Sequence, residues 1–123
     1  MRFINPFSSK RHTKRLEVPV ITFIGEQDGP SERFLKEELS KLFGGHTNVL
    51  TAYLARVHYA DPKSVSVCLC LEVTDGVDEP LVEAAHSLFA RHFNREVYLD
   101  IIFLKSSQKV QVAVVCKPFY QSN

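Results

Sequence analysis

From Ser64 to Val73 the apolar and less apolar residues alternate strictly, a period of two that only an extended strand resolves into two faces. One face reads Val65, Val67, Leu69, Leu71 and Val73; the other reads Ser64, Ser66, Cys68, Cys70 and Glu72. Upstream, Val49 to His58 is extended and apolar, and Tyr59-Ala60-Asp61-Pro62-Lys63 supplies turn residues between the two runs. The pair is therefore predicted to form an antiparallel hairpin. Before it, Val18 to Ile24 reads as a short buried strand closed by Gly25 and the turn-rich Glu26 to Pro30.

Helical periods flank the hairpin. Phe34, Leu35, Leu39, Leu42 and Phe43 recur at helical spacing between Pro30, which suits a first turn, and the stop Gly44-Gly45. A second helix is predicted from about Glu79 to Phe93, with Leu81, Val82, Ala85, Leu88, Phe89 and Phe93 on one face. Val97 to Leu104 reads as a fourth strand, Lys105 to Lys109 as a polar connector, and Val110 to Cys116 as a fifth strand returning onto the fourth. The element order βαββαβ, plus one C-terminal strand, predicts an α+β, ferredoxin-like sandwich with both helices on one face of a mainly antiparallel sheet.

If the turn at Tyr59 to Lys63 sets the hairpin register, Val49, Thr51, Tyr53, Ala55 and Val57 lie beneath the helices with Val65, Val67, Leu69 and Leu71. The other face is then left open. It carries Leu50, Ala52, Leu54, Arg56 and His58 beside Ser66, Cys68, Cys70 and Glu72, continued by Ile102, Leu104, Ala113 and Val115. A face this apolar calls for a cover: a second copy of the chain, another protein, or the chain's own Phe3, Phe7, Phe119 and Tyr120.

Composition fits a single soluble domain, since the chain has 123 residues, 45% of them hydrophobic and 24% charged. The net charge of +1 conceals an uneven distribution: residues 1–16 hold Arg2, Lys10, Arg11, Lys14 and Arg15 and no acid, leaving the remainder at −4. That first segment, interrupted by Pro6, is expected to be a flexible basic arm, and residues 17–123 one domain. It has no apolar stretch of the kind a secretory signal needs, and nowhere does an apolar run approach the roughly 18 residues of a membrane span. Three cysteines, an odd number, are expected to be reduced thiols in a cytoplasmic protein.

Candidate chemistry is sparse. Cys68 and Cys70 point the same way on one strand but have no second pair and no nearby histidine, so no metal site is expected. His86 and His92 are six apart on a helix, not at the i, i+4 spacing of a helical metal pair. No serine, cysteine or lysine stands beside a base in any nucleophile motif, and the glycines form no phosphate-cradling loop, so neither an enzyme nor a cofactor is expected. Glu72 and Asp100 are the two strand carboxylates that could face each other across the sheet, and a solvated strand position is the expectation for each. An acidic body without an aromatic nucleic-acid-binding run argues against nucleic acid.

Leu42-Phe43, Ala52-Tyr53-Leu54-Ala55, Leu69 with Leu71-Glu72, Tyr98 to Ile102, and the closing Pro118-Phe119-Tyr120 occur in an order and spacing that resembles the C-terminal domain of the enhanced serine sensitivity protein SseB. The resemblance runs from about Val18 to Tyr120. It implies a link to a serine-sensitivity phenotype and transfers no catalytic residue. Longer members of that family carry a separate N-terminal domain, whereas here the basic arm stands in its place.

The functional expectation is a non-enzymatic interaction or regulatory domain that forms a homodimer, or binds another cytoplasmic protein, through the open sheet face. Leu50, Leu54, Arg56, His58, Cys68, Cys70, Glu72 and Ile102 are expected to line it. The rival expectation is a small-molecule sensor or enzyme for an amino-acid-like ligand, its pocket formed at a subunit interface by Arg56, His58 and Glu72.

Overall fold

The computed structural model describes residues 21–46, 48–74, 77–93 and 99–122. The basic arm and the first residues expected of the first and fourth strands lie outside them. In chain order the elements are β1 (Thr22–Glu26), α1 (Pro30–Gly44), β2 (Val49–His58), β3 (Ser66–Val73), α2 (Glu79–His92), β4 (Asp100–Phe103), α3 (Ser106–Val115) and β5 (Tyr120–Gln121).

Both expected helices form for the expected reasons. In α1, Pro30 occupies the first turn, and Leu35, Leu39 and Phe43 make a fully buried stripe at i, i+4, i+8. Gly29 precedes it with φ of 153°, where a Cβ would also come 2.6 Å from Glu32 Oε1. In α2, the Asp78 side chain accepts from the Leu81 N–H at 3.1 Å, and Leu81, Ala85, Leu88 and Phe89 face inward.

The architecture is α+β, with a mixed open sheet in the order β1-β2-β3-β4. β1, β2 and β3 run antiparallel, while β4 is parallel to β3, as a crossover through α2 requires. β5 pairs with β2 at Thr51 and Ala52, beyond the stretch from Ala55 to His58 that β1 occupies. The strands thus follow chain order, not the interleaved order of a ferredoxin-like sandwich. The closing Pro118-Phe119-Tyr120 ties this edge together: the Phe119 N–H donates to Ala52 O at 2.9 Å and the Tyr120 hydroxyl to Phe43 O at 3.2 Å.

Two expectations are corrected. The first is the facing of β2. Ala52 lies opposite Leu71, and Leu54 opposite Leu69, so these residues share the layer beneath α1 and α2 with Leu35, Leu39, Phe43, Leu81 and Leu88. Tyr53, Ala55 and Val57 point to the other side with Cys68 and Cys70. A register irregularity between Val49 and Thr51 leaves Val49 on the helix side while reversing the residues after it. Both alternating sets of β2 are apolar, so the pattern does not select between the two facings.

The second correction is α3, where a fifth strand was expected. The Lys105 N–H donates to Gln108 Oε1 at 2.8 Å and starts a helix, which turns Val112 and Cys116 onto Phe23, Tyr53, Ala55, Val57, Cys68 and Cys70. β-Branched valines favour a strand locally. Burial of that whole apolar row outweighs the preference, because a helix laid across the sheet covers several strands and a strand added at its edge covers none. The sheet face expected to be open is therefore covered by the chain itself.

Candidate functional site

Among the described residues, the face of the sheet beneath α3 buries two polar residues, Ser66 and Asp100, and the second belongs to an acid–phenol pair. Asp100 opens β4 in register with Cys68 of β3 and is only 4% exposed. Tyr59, just beyond the end of β2, donates its hydroxyl to Asp100 Oδ2 at 2.5 Å. Asp100 Oδ1 is buried without a hydrogen-bond partner among the described residues. Burial pushes the Asp100 carboxyl up to about 7, against the opposing pull of the Tyr59 bond. Tyr59 is likewise held above the usual phenol range, by burial first and then by its neighbours Cys68 and Asp100.

The thiols around this pair are buried and form no disulfide. Cys70 Sγ donates weakly to Cys68 O at 3.7 Å, and Cys116 Sγ to Leu54 O at 3.5 Å. Burial raises Cys70 well above the ordinary thiol value and Cys116 to about 11. At neutral pH both are protonated, which makes them poor nucleophiles and poor metal ligands. Among the described residues no group of three or more histidines, cysteines or acids is placed to hold a metal ion.

The residues expected to line one open face are divided between two. Leu54 is fully buried beneath α1 and α2. Arg56 is exposed and lies opposite Val67 on that same side, and His58 Nδ1 sits 3.0 Å from Ser64 O. Cys68 and Cys70 are fully buried on the other side, where Ile102 is half-buried against them. Glu72 accepts from Thr51 Oγ1 at 3.0 Å and pairs with Lys109 of α3 at 3.2 Å. Leu50 is half-buried. Arg56 and His58 thus do not converge with Glu72, and Asp100, expected at a solvated strand position, is instead buried against Tyr59.

What the structure offers to the outside is different. On α3, Val110 and Val114 are 68% and 79% exposed, one helical turn apart on one face. Ala113 and Val115 are exposed beside them, as are Lys105 before the helix and Lys117 after it. The signal for this face was present in the chain, because Val110/Val114 and Val112/Cys116 are two i, i+4 pairs on opposite sides of a helix. At the other edge of the sheet β4 presents Ile101, Ile102 and Phe103, all half-buried.

Comparison with known proteins adds the lineage. Neither a curated protein nor a solved structure matches the chain. The family model described as SseB protein C-terminal domain matches residues 24–122, which takes in every strand and helix described above apart from the first residues of β1. The chain belongs to the SseB C-terminal domain family.

Proposed function

We propose that this domain is a non-enzymatic protein-interaction module of a regulatory kind, and that it makes contact through the outer face of α3. The observation that carries the reading is the exposure of Val110 and Val114. Valine is a poor helix former relative to lysine, glutamate or alanine, and these two add nothing to the layer that Val112 and Cys116 fill. A surface helix that needed only to fold would carry polar, strongly helical residues there. Apolar side chains with an exposed lysine before and after the helix instead match the anatomy of a contact surface, a dry centre within a polar rim. On this reading the serine-sensitivity phenotype in the family's name arises through a protein contact and not through chemistry on serine.

The test is capture of binding proteins from the host's lysate by the wild type and by Val110→Lys/Val114→Lys, run side by side. A protein held by the wild type and lost from the folded variant supports the reading. Identical capture by both, or a metabolite such as serine that raises the melting temperature of the isolated domain, contradicts it.

A further inference from the structure

The two edges of the sheet are built differently. On the β1 side, the register shifts between Phe23 and Gly25, and β5 occupies the remaining length of β2. A bulge and a filled edge are the usual protections against pairing with another chain. β4 has neither a bulge nor a proline, and its residues are Asp100, Ile101, Ile102 and Phe103.

The backbone groups on that edge can be assigned individually. The Leu104 N–H donates to Leu71 O at 2.8 Å, so by the two-residue period Ile102 also turns its N–H and C=O inward, and Ile101 and Phe103 turn theirs outward. Beyond them on both sides the outward row is already closed by side chains of the same chain. His86 of α2 donates from Nε2 to Leu99 O at 3.1 Å, and the Lys105 N–H donates to Gln108 Oε1 at 2.8 Å. What remains is the N–H and C=O of Ile101 and of Phe103, for which the described residues supply no partner.

That remainder is self-complementary. We propose that β4 pairs antiparallel with β4 of a second copy of this chain, about a two-fold axis at Ile102, so that the two sheets become one. Ile101 then exchanges both backbone hydrogen bonds with Phe103 of the partner copy, and Phe103 with Ile101, which uses every outward group of these two residues. The side chains match as well. Ile101 and Phe103 pack on the layer beneath α1 and α2, while Ile102 packs on the layer beneath α3; the pairing sets Ile101 against Phe103 and Ile102 against Ile102, each on its own face. Asp100 comes opposite Leu104, so no like charges meet, and a chain of net charge +1 has little long-range repulsion to overcome. The contact is small and belongs with weak, concentration-dependent dimers. It involves no residue of the α3 outer face, so it stands or falls apart from the function proposed above.

The experiment is hydrogen exchange on the wild-type chain across a dilution series whose oligomeric state is followed by sedimentation. The proposal predicts a monomer–dimer equilibrium in which the Ile101 and Phe103 amides exchange roughly tenfold or more slowly in the dimer, while the Ile102 amide, bonded within the chain, does not change. Ile102→Cys should cross-link across the axis under mild oxidation, because the non-hydrogen-bonded pair brings the two Cβ atoms within disulfide reach. Ile101→Pro, which removes an outward N–H and part of the side chain packed beneath α1 and α2 but no backbone hydrogen bond within the chain, should be folded and monomeric. A monomer at every concentration overturns the proposal, as does a dimer in which the Ile101 and Phe103 amides exchange as fast as in the monomer.

Discussion

Replacing Asp100 with asparagine should remove a pH dependence that the fold carries in its α3 layer. In the folded chain the carboxyl is raised from 3.8 to about 7 by burial. With the folded value above the unfolded one, the native state holds more protons than the unfolded state between the two. The associated stability is complete below about pH 4 and is lost as pH rises through about 7. At about 1.4 kcal/mol per pH unit this amounts to about 4 kcal/mol, a substantial part of the roughly 5 to 15 kcal/mol that stabilises a typical domain. Asp100→Asn keeps an oxygen to accept from Tyr59 and carries no charge to desolvate. Its new amide takes the place of Oδ1, which has no described partner, at a cost of about 1–3 kcal/mol. The assay is urea unfolding of both proteins at half-unit steps from pH 4 to 8. The wild type should lose stability between about pH 4 and 7 and level off above it, and the variant should be nearly flat and overtake it once the wild type has lost about 1–3 kcal/mol, between about pH 4.5 and 6. Equal slopes for the two proteins over that range would refute the assignment of the titration to Asp100.

Leu54→Ala should lower stability by about 2–5 kcal/mol in the same assay, because Leu54 is fully buried beneath α1 and α2, and Leu54→Glu should fail to give a folded domain by circular dichroism. Val112→Ala should cost about 2 kcal/mol, whereas Val110→Lys and Val114→Lys should each change stability by less than about 0.5 kcal/mol because those positions are 68% and 79% exposed. Alkylation followed by mass spectrometry should leave Cys68, Cys70 and Cys116 unmodified in the native protein at pH 7.5 and modify all of them once urea unfolds it, since each is buried.

Much of the fold was legible from period alone. The spacing of Leu35, Leu39 and Phe43, and of Leu81, Ala85 and Leu88, belongs only to a helix with one buried face, and the alternation read from Ser64 to Val73 sorts the residues of β3 onto their two faces, although the strand starts at Ser66, Val65 is exposed, and the Cys68 and Cys70 face expected to be open is buried. The family was legible from the order of short motifs, among them a closing Pro118-Phe119-Tyr120 whose rings pack on Phe43 at 6.2 and 5.6 Å. Failure came where two periods were satisfied together. β2 is apolar on both alternating sets because it is buried on both faces, so its hydrophobicity says nothing about which set meets which helix. Val110, Val112 and Val114 alternate as a strand does, and only the need to cover the Cys68 and Cys70 face makes the segment a helix. Tyr59 and Asp100 stand 41 residues apart, and no local pattern announces a pair assembled by the sheet.

Contact with another protein through the outer face of α3 is tested by a binding titration. The captured protein is titrated against the wild type and against Val110→Lys/Val114→Lys, with the urea midpoint of each recorded alongside. Losing the burial of two valines, at about 1.5 kcal/mol each or less, should weaken binding by roughly 30- to 100-fold, with the midpoints unchanged. Equal dissociation constants for two equally folded proteins would contradict the claim.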